Sequence, residues 1–204
     1  NRKVKKAAEK IVENLKQSPI ILLSGPSGSG KGTILGEIFK IFADENIYFS
    51  VSATTRSPRE GEIDGVHYHF VTREKFCELM DNNGLAEHNI LATGDMYGTP
   101  REPLEKALDS GRSCILEIDP NGMRQVVGVY PDAVKIFIVP PSFEILEKRI
   151  RGRGSETEEN IIKRLNLAKK ELQATGEYDY VIVNDALEDA VNDTAAIFRL
   201  YLNK

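Results

Sequence analysis

Ser24-Gly25-Pro26-Ser27-Gly28-Ser29-Gly30-Lys31-Gly32-Thr33 is the stretch whose reading decides the fold. It follows an apolar run, Ile20-Ile21-Leu22-Leu23, suited to a buried strand, and it opens a segment of helical apolar spacing from Gly32 to about Ala43. A loop of this kind surrounds phosphate oxygens with backbone N–H groups. Glycines permit the necessary dihedrals, the helix beginning there adds the positive end of its dipole, and Lys31 brings a flexible positive charge. The spacing therefore predicts that Gly25, Ser27, Gly28, Ser29, Gly30, Lys31, Gly32 and Thr33 hold a nucleoside triphosphate. The full pattern places Ser or Thr directly after the lysine. Gly32 stands there instead, so Thr33 is the candidate for a hydroxyl contact to a phosphate-bound magnesium ion. The glycine spacing does not fit a dinucleotide-binding turn.

Outward from this loop, apolar strands alternate with helices. Residues 2–17 have helical spacing (Val4, Ala7, Ala8, Ile11, Val12, Leu15), and Ser18-Pro19 ends that helix. Strands are predicted at Tyr48–Val51, Val66–Val71, Ser113–Ile118, Lys135–Val139 and Val181–Asn184. Thr72 caps a helix to about Asn82. Thr99-Pro100-Arg101-Glu102 carries three helix-start signals, with Gly111 as the stop, and Ser155-Glu156-Thr157-Glu158 reads as a capping box for a helix to about Ala174. Further helices fall near Asn121–Val129 and from Leu187 onward. The alternation indicates an α/β fold with a parallel sheet covered on both faces.

Bulk properties narrow the functional classes. The 204 residues favour one compact domain, and 41% hydrophobic with 28% charged residues is globular composition, unlike that of disordered chains. A net charge of −4 argues against a nucleic-acid binder. No apolar run approaches the roughly 20 residues that cross a bilayer, so no membrane role is expected. Cys77 and Cys114 lie far apart with no CxxC partner, which points to reduced thiols and a cytoplasmic protein. His67, His69 and His88 do not make a metal set.

A second cluster lies in Ser52-Ala53-Thr54-Thr55-Arg56-Ser57-Pro58-Arg59-Glu60-Gly61-Glu62-Ile63-Asp64-Gly65-Val66-His67-Tyr68. Arg56 and Arg59 sit three apart around a turn flanked by hydroxyls, and two guanidinium forks with a tyrosine hydroxyl can hold a phosphate monoester. On composition alone a solvated basic turn is favoured; beside the phosphate loop, monophosphate binding is favoured instead. This segment resembles the monophosphate-binding region of guanylate kinases. The resemblance continues in family order through Glu87, Tyr97-Gly98-Thr99, Ile115–Gly122, Pro140-Pro141-Ser142, Arg149-Ile150-Arg151-Gly152-Arg153-Gly154 and Lys163-Arg164, covering about residues 18–204.

The resemblance implies a P-loop NTPase-type parallel sheet flanked by helices, with an inserted GMP-binding subdomain at 49–98 and a short Arg-rich lid at 141–165. The core would be 18–48, 99–140 and 166–204, preceded by the helix 1–17. It implies transfer of the γ-phosphoryl group of ATP to GMP, and to dGMP, with Mg²⁺ carried by ATP. Ser52 and Glu87 would read the base, and Arg56, Arg59, Tyr68 and Tyr97 would hold the GMP phosphate. Thr99 would lie near the base, and Glu117 and Asp119 would complete the GMP site. Lys31, Arg149, Arg153 and Arg164 would be catalytic, neutralising the transferring group, and Asn184 would contact adenine. Two departures stand out: the segment Asn89–Met96 is one residue longer than the commoner pattern, and Glu117 replaces a frequent aspartate. Two other readings remain open, a non-catalytic phosphopeptide-binding module of the same fold and a kinase acting on AMP. The intact lysine loop and lid arginines weigh against the first, and Ser52, Glu87 and the arginine turn against the second.

Overall fold

A computed structural model describes residues 20–91, 93–152 and 157–202. The expected helix at 2–17 lies outside them. Among the described residues nine strands are formed: β1 (Ile20–Ser24), β2 (Ile47–Phe49), β3 (Ala53–Thr54), β4 (His69–Phe70), β5 (Leu85–Ile90), β6 (Met96–Pro100), β7 (Ser113–Glu117), β8 (Val134–Val139) and β9 (Tyr180–Val183). The helices are α1 (Lys31–Ile41), α2 (Arg73–Asp81), α3 (Arg101–Asp109), α4 (Pro120–Val129), α5 (Phe143–Arg151), α6 (Glu158–Leu172) and α7 (Leu187–Leu202), with a 3-10 turn at Gln173–Glu177. A five-stranded sheet runs in the order β2-β7-β1-β8-β9, and a four-stranded sheet in the order β4-β3-β6-β5. The β2–β7 and β8–β9 pairs are parallel, as the strand–helix alternation requires. The protein is thus α/β, with a parallel central sheet flanked by helices.

Contacts divide the chain into two units, one taking 46–133 with the start of β1, the other 22–45 with 134 onward. In the second unit Leu22 and Leu23 of β1 and Ile136, Phe137 and Ile138 of β8 are wholly buried, and α7 packs Ala195 and Phe198 inward, the Phe198 ring lying 5.9 Å from that of Phe42 at the end of α1. In the first unit Ala53, Phe76, Leu85 and Met96 form the small core beneath the four-stranded sheet.

Three local expectations need correction. The predicted strand Val66–Val71 shrinks to His69–Phe70, because the N–H groups of Val66 and His67 both turn back to the Ile63 carbonyl and the Asp64 carboxylate takes the N–H of Phe70. Thr99 is not a helix cap: it belongs to β6, its hydroxyl turns inward, and α3 starts after Pro100. The cap of α6 is Thr157, whose hydroxyl accepts the N–H of Asn160; Ser155, the expected cap, lies outside the described residues. The β5–β6 hairpin and β3 were not foreseen at all.

Candidate active site

In the second unit the turn after β1 closes through Ser29 N–H to the Pro26 carbonyl at 3.1 Å, and α1 begins at once. Its cap is Gly30 with φ of 92°, a left-handed conformation that a side chain would strain. Glycine brings no capping oxygen, and the first turn of α1 carries no acidic residue. Helix geometry leaves the leading N–H groups without intrahelical acceptors, so this end of α1 suits an anion. Lys31 Nζ donates to the carbonyls of Gly25, at 2.6 Å, and Pro26, at 3.2 Å, which folds the charge over the loop. Gly32 and Thr33 are exposed on the first turn.

Two side chains brace that loop. Arg164 Nη1 donates to Ser27 Oγ at 3.4 Å from α6. Asn184, only 5% exposed, donates Nδ2 to the Ser29 carbonyl at 2.8 Å, and its own carbonyl accepts Arg149 Nη2 at 3.0 Å. Arg149 Nη1 and Ser29 Oγ are buried without a hydrogen-bond partner among the described residues. A buried guanidinium edge left unpaired is what an anionic ligand would satisfy. Arg153 lies outside the described residues. Among the described residues no group of three or more His, Cys, Asp or Glu could hold a metal ion; Thr33, the hydroxyl expected near magnesium, is exposed on the first turn of α1. A single hydroxyl there fits a magnesium ion that keeps its waters and binds substrate phosphates.

In the first unit two of the expected phosphate-holding residues, Tyr68 and Tyr97, assemble around Arg56. Its Nε donates to the Tyr97 hydroxyl at 3.1 Å, and the Tyr68 and Tyr97 rings meet edge to face at 5.8 Å. Arg56 also lies over the Tyr68 ring at 5.5 Å. A residue absent from the expected set completes this group. Glu62 takes Nη1 and Nη2 of Arg56 in a bidentate pair, both at 2.9 Å, and accepts the Arg59 N–H at 2.6 Å. These bonds, Arg56 first, hold the Glu62 carboxyl down at about 2 and raise Arg56 further above its already high value. An opposite charge three residues after Arg59 was the sequence signal for it. The Arg59 side chain is exposed, and Ser52 is half-buried just before β3, its carbonyl accepting the His69 N–H. Burial, then the Glu117 carboxylate, raises the Tyr68 hydroxyl above its ordinary value.

Glu87 lies on β5, directly opposite Thr99 of β6, whose hydroxyl donates to Glu87 Oε1 at 2.7 Å. It is 6% exposed. Desolvation pushes its carboxyl up to about 7; the Thr99 hydroxyl opposes this, and the Asp119 carboxylate adds to it. Asp119 caps α4 by accepting the Gly122 N–H, while Glu117 ends β7 exposed. A buried carboxyl beside no cation can be ionised by a ligand that brings its own donors.

Comparison with known proteins shows what the chain as a whole is similar to. The guanylate kinase family model matches residues 16–201. A guanylate kinase of Carboxydothermus hydrogenoformans is 49% identical over 178 residues, 87% of this chain and 86% of its own length. One of Synechococcus sp. (strain CC9311) is 51% identical over 170 residues, 83% of this chain and 88% of its own length. The crystal structure of guanylate kinase from Anaplasma phagocytophilum superposes with a TM-score of 0.74 at 35% identity, covering 93% of this chain and 89% of that one.

Proposed function

The chain belongs to the guanylate kinase family and is an enzyme that phosphorylates GMP; from that premise we propose which of its residues bind, orient and transfer. Glu87, ionised on binding, accepts the N1–H and the 2-amino group of guanine. Adenine has neither donor, so it would leave a buried charge unpaired, a loss of roughly 1.5–3 kcal/mol per bond. Thr99 fixes Glu87 Oε1, Ser52 and Asp119 border the base, and dGMP fits the same contacts. Arg56, Arg59, Tyr68 and Tyr97 hold the phosphate, with Glu117 nearby. The buried Glu87–Thr99 pair is the observation that carries this reading.

ATP is the proposed donor, its phosphates wrapped by residues 25–33. An oxygen of the GMP phosphate attacks the γ-phosphorus, and the bond from that phosphorus to the bridging oxygen breaks. The electron pair leaves on ADP, and no general base is needed because the nucleophile is already anionic. Magnesium on ATP would offset charge on the β- and γ-phosphates, with Thr33 as the chain's contribution. Lys31, Arg149, Arg153 and Arg164 stabilise charge on the transferring group. Asn184 supports the loop from below, and contact with adenine is assigned to the same residue. The free cysteines Cys77 and Cys114 suit a cytoplasmic role in purine nucleotide metabolism.

ADP formation with ATP and Mg²⁺ tests this across GMP, dGMP, AMP, CMP and UMP. Turnover is expected with GMP and dGMP alone, and Lys31→Met should abolish it while GMP still binds. Equal turnover with AMP, or an active Lys31→Met variant, would refute these roles. No turnover with any monophosphate by folded protein would leave a phosphopeptide-binding module as the reading.

A further inference from the structure

Consecutive residues of β5 grip one face of α4. Asn89 Nδ2 donates to Asp119 Oδ2 at 2.5 Å. The Gln125 carboxamide brackets the backbone of His88, accepting its N–H at 3.1 Å and donating to its carbonyl at 2.8 Å. Glu87 lies over Gly122, where an added Cβ would stand 2.5 Å from Oε2 and 3.1 Å from the carboxyl carbon. Asp119, Gly122 and Gln125 are each three apart, so they share one stripe of the helix. β5 is the edge of its sheet, and the Gln125 carboxamide supplies the donor and acceptor that a neighbouring strand would have offered. The Glu87 carboxyl group is therefore held between the Thr99 hydroxyl on one side and a missing side chain on the other.

We propose that Gly122 and Gln125 are positioning residues for guanine recognition: together they set where the Glu87 carboxylate stands, and so how well it matches both guanine donors. The proposal rests on Glu87 being the base reader. A carboxylate that accepts two bonds at once tolerates displacement of only about 0.5 Å. Gly122 lets the carboxylate settle against the first turn of α4, and Gln125 fixes the height of β5 along that helix. The three atoms nearest a methyl group at 122 all belong to the Glu87 side chain, so the carboxylate would yield first and the fold would stay intact. Neither residue need touch the nucleotide.

Gly122→Ala and Gln125→Met in the full chain test this, with Glu87→Gln alongside. The measurements are kcat and KM for GMP and for inosine 5′-monophosphate (which lacks the 2-amino group), KM for ATP, and Tm. Gly122→Ala should raise KM for GMP by about tenfold and cut the preference for GMP over inosine monophosphate by a similar factor, with KM for ATP and Tm unchanged. Gln125→Met should do the same to a smaller extent. In a Glu87→Gln background, Gly122→Ala should change the preference no further. A Glu87→Gln enzyme that keeps its GMP preference would remove the base reader itself. If Glu87→Gln loses the preference while both helix variants keep it, the positioning role is wrong and the base reader stands. A fall in Tm with equal losses towards both monophosphates would mark a structural brace, and would equally overturn the proposal; Gln125→Met decides the matter if Gly122→Ala fails to fold.

Discussion

In its proposed role Glu87 would work against its surroundings: reading guanine requires a charge, and burial resists one. Its carboxyl sits at about 7 in the folded chain, against an ordinary 4.5. Between those values the folded protein keeps the proton that the unfolded chain releases, so this group makes stability fall as pH rises from about 4.5 to about 7, by at most about 3 kcal/mol, with no further change above. Guanine donors favour the ionised form, so GMP affinity should rise as pH climbs through about 7. The phosphate of GMP also titrates, near pH 6 for a monoester. Glu87→Gln retains that contribution, so the difference between wild type and variant, in GMP affinity by calorimetry and in denaturant stability from pH 5 to 8, isolates Glu87. Parallel profiles for the two proteins would contradict the assignment. Glu87, Thr99, Arg56 and Tyr97 were legible in the sequence as a set. Their pairings were not, and Glu62, Gly122 and Gln125 were missed outright, because a partner across strands is chosen by register and a glycine facing a carboxylate looks like any other glycine.

Elements whose stability is written locally were read well. Thr72 caps α2 as expected, accepting the Lys75 N–H at 3.2 Å, and Gly111 ends α3 with φ of 75°. Thr72→Ala should cost about 1 kcal/mol, seen as a lower denaturant midpoint, with KM for ATP unchanged. A midpoint equal to wild type would show that the cap is dispensable. The apolar strands β1, β7 and β8 were legible because full burial demands continuous apolar residues. The four-stranded sheet was not. β3 and β4 span two residues each, too short for a period to register, and β5 reads Leu-Ala-Glu-His-Asn-Ile, polar where it carries the site. Thr99 was misread for a related reason: the Thr-Pro-Arg-Glu signal is real, but the cross-strand demand of Glu87 takes the hydroxyl first.

At the scale of the molecule, the residues proposed for guanine and monophosphate recognition fall in one contact unit and those proposed for triphosphate recognition in the other. A ligand at a hundred times its Kd stabilises the folded state by about 2.7 kcal/mol. Amide exchange should therefore slow in β5, β6 and α4 when GMP is added alone, and in residues 25–38 when ATP is added alone. Protection by GMP that fell chiefly on residues 25–38 would exchange the two assignments. The braces of the phosphate loop also have an order in time. Asn184 reaches Ser29 across 155 positions of sequence, and Arg164 reaches Ser27 across 137. A chain emerging from the ribosome would expose its glycine-rich turn long before the residues that hold it in shape are made. Nascent chains halted short of Asn184 should then fail to retain ATP, and nucleotide capture becomes a signal that synthesis has passed that residue.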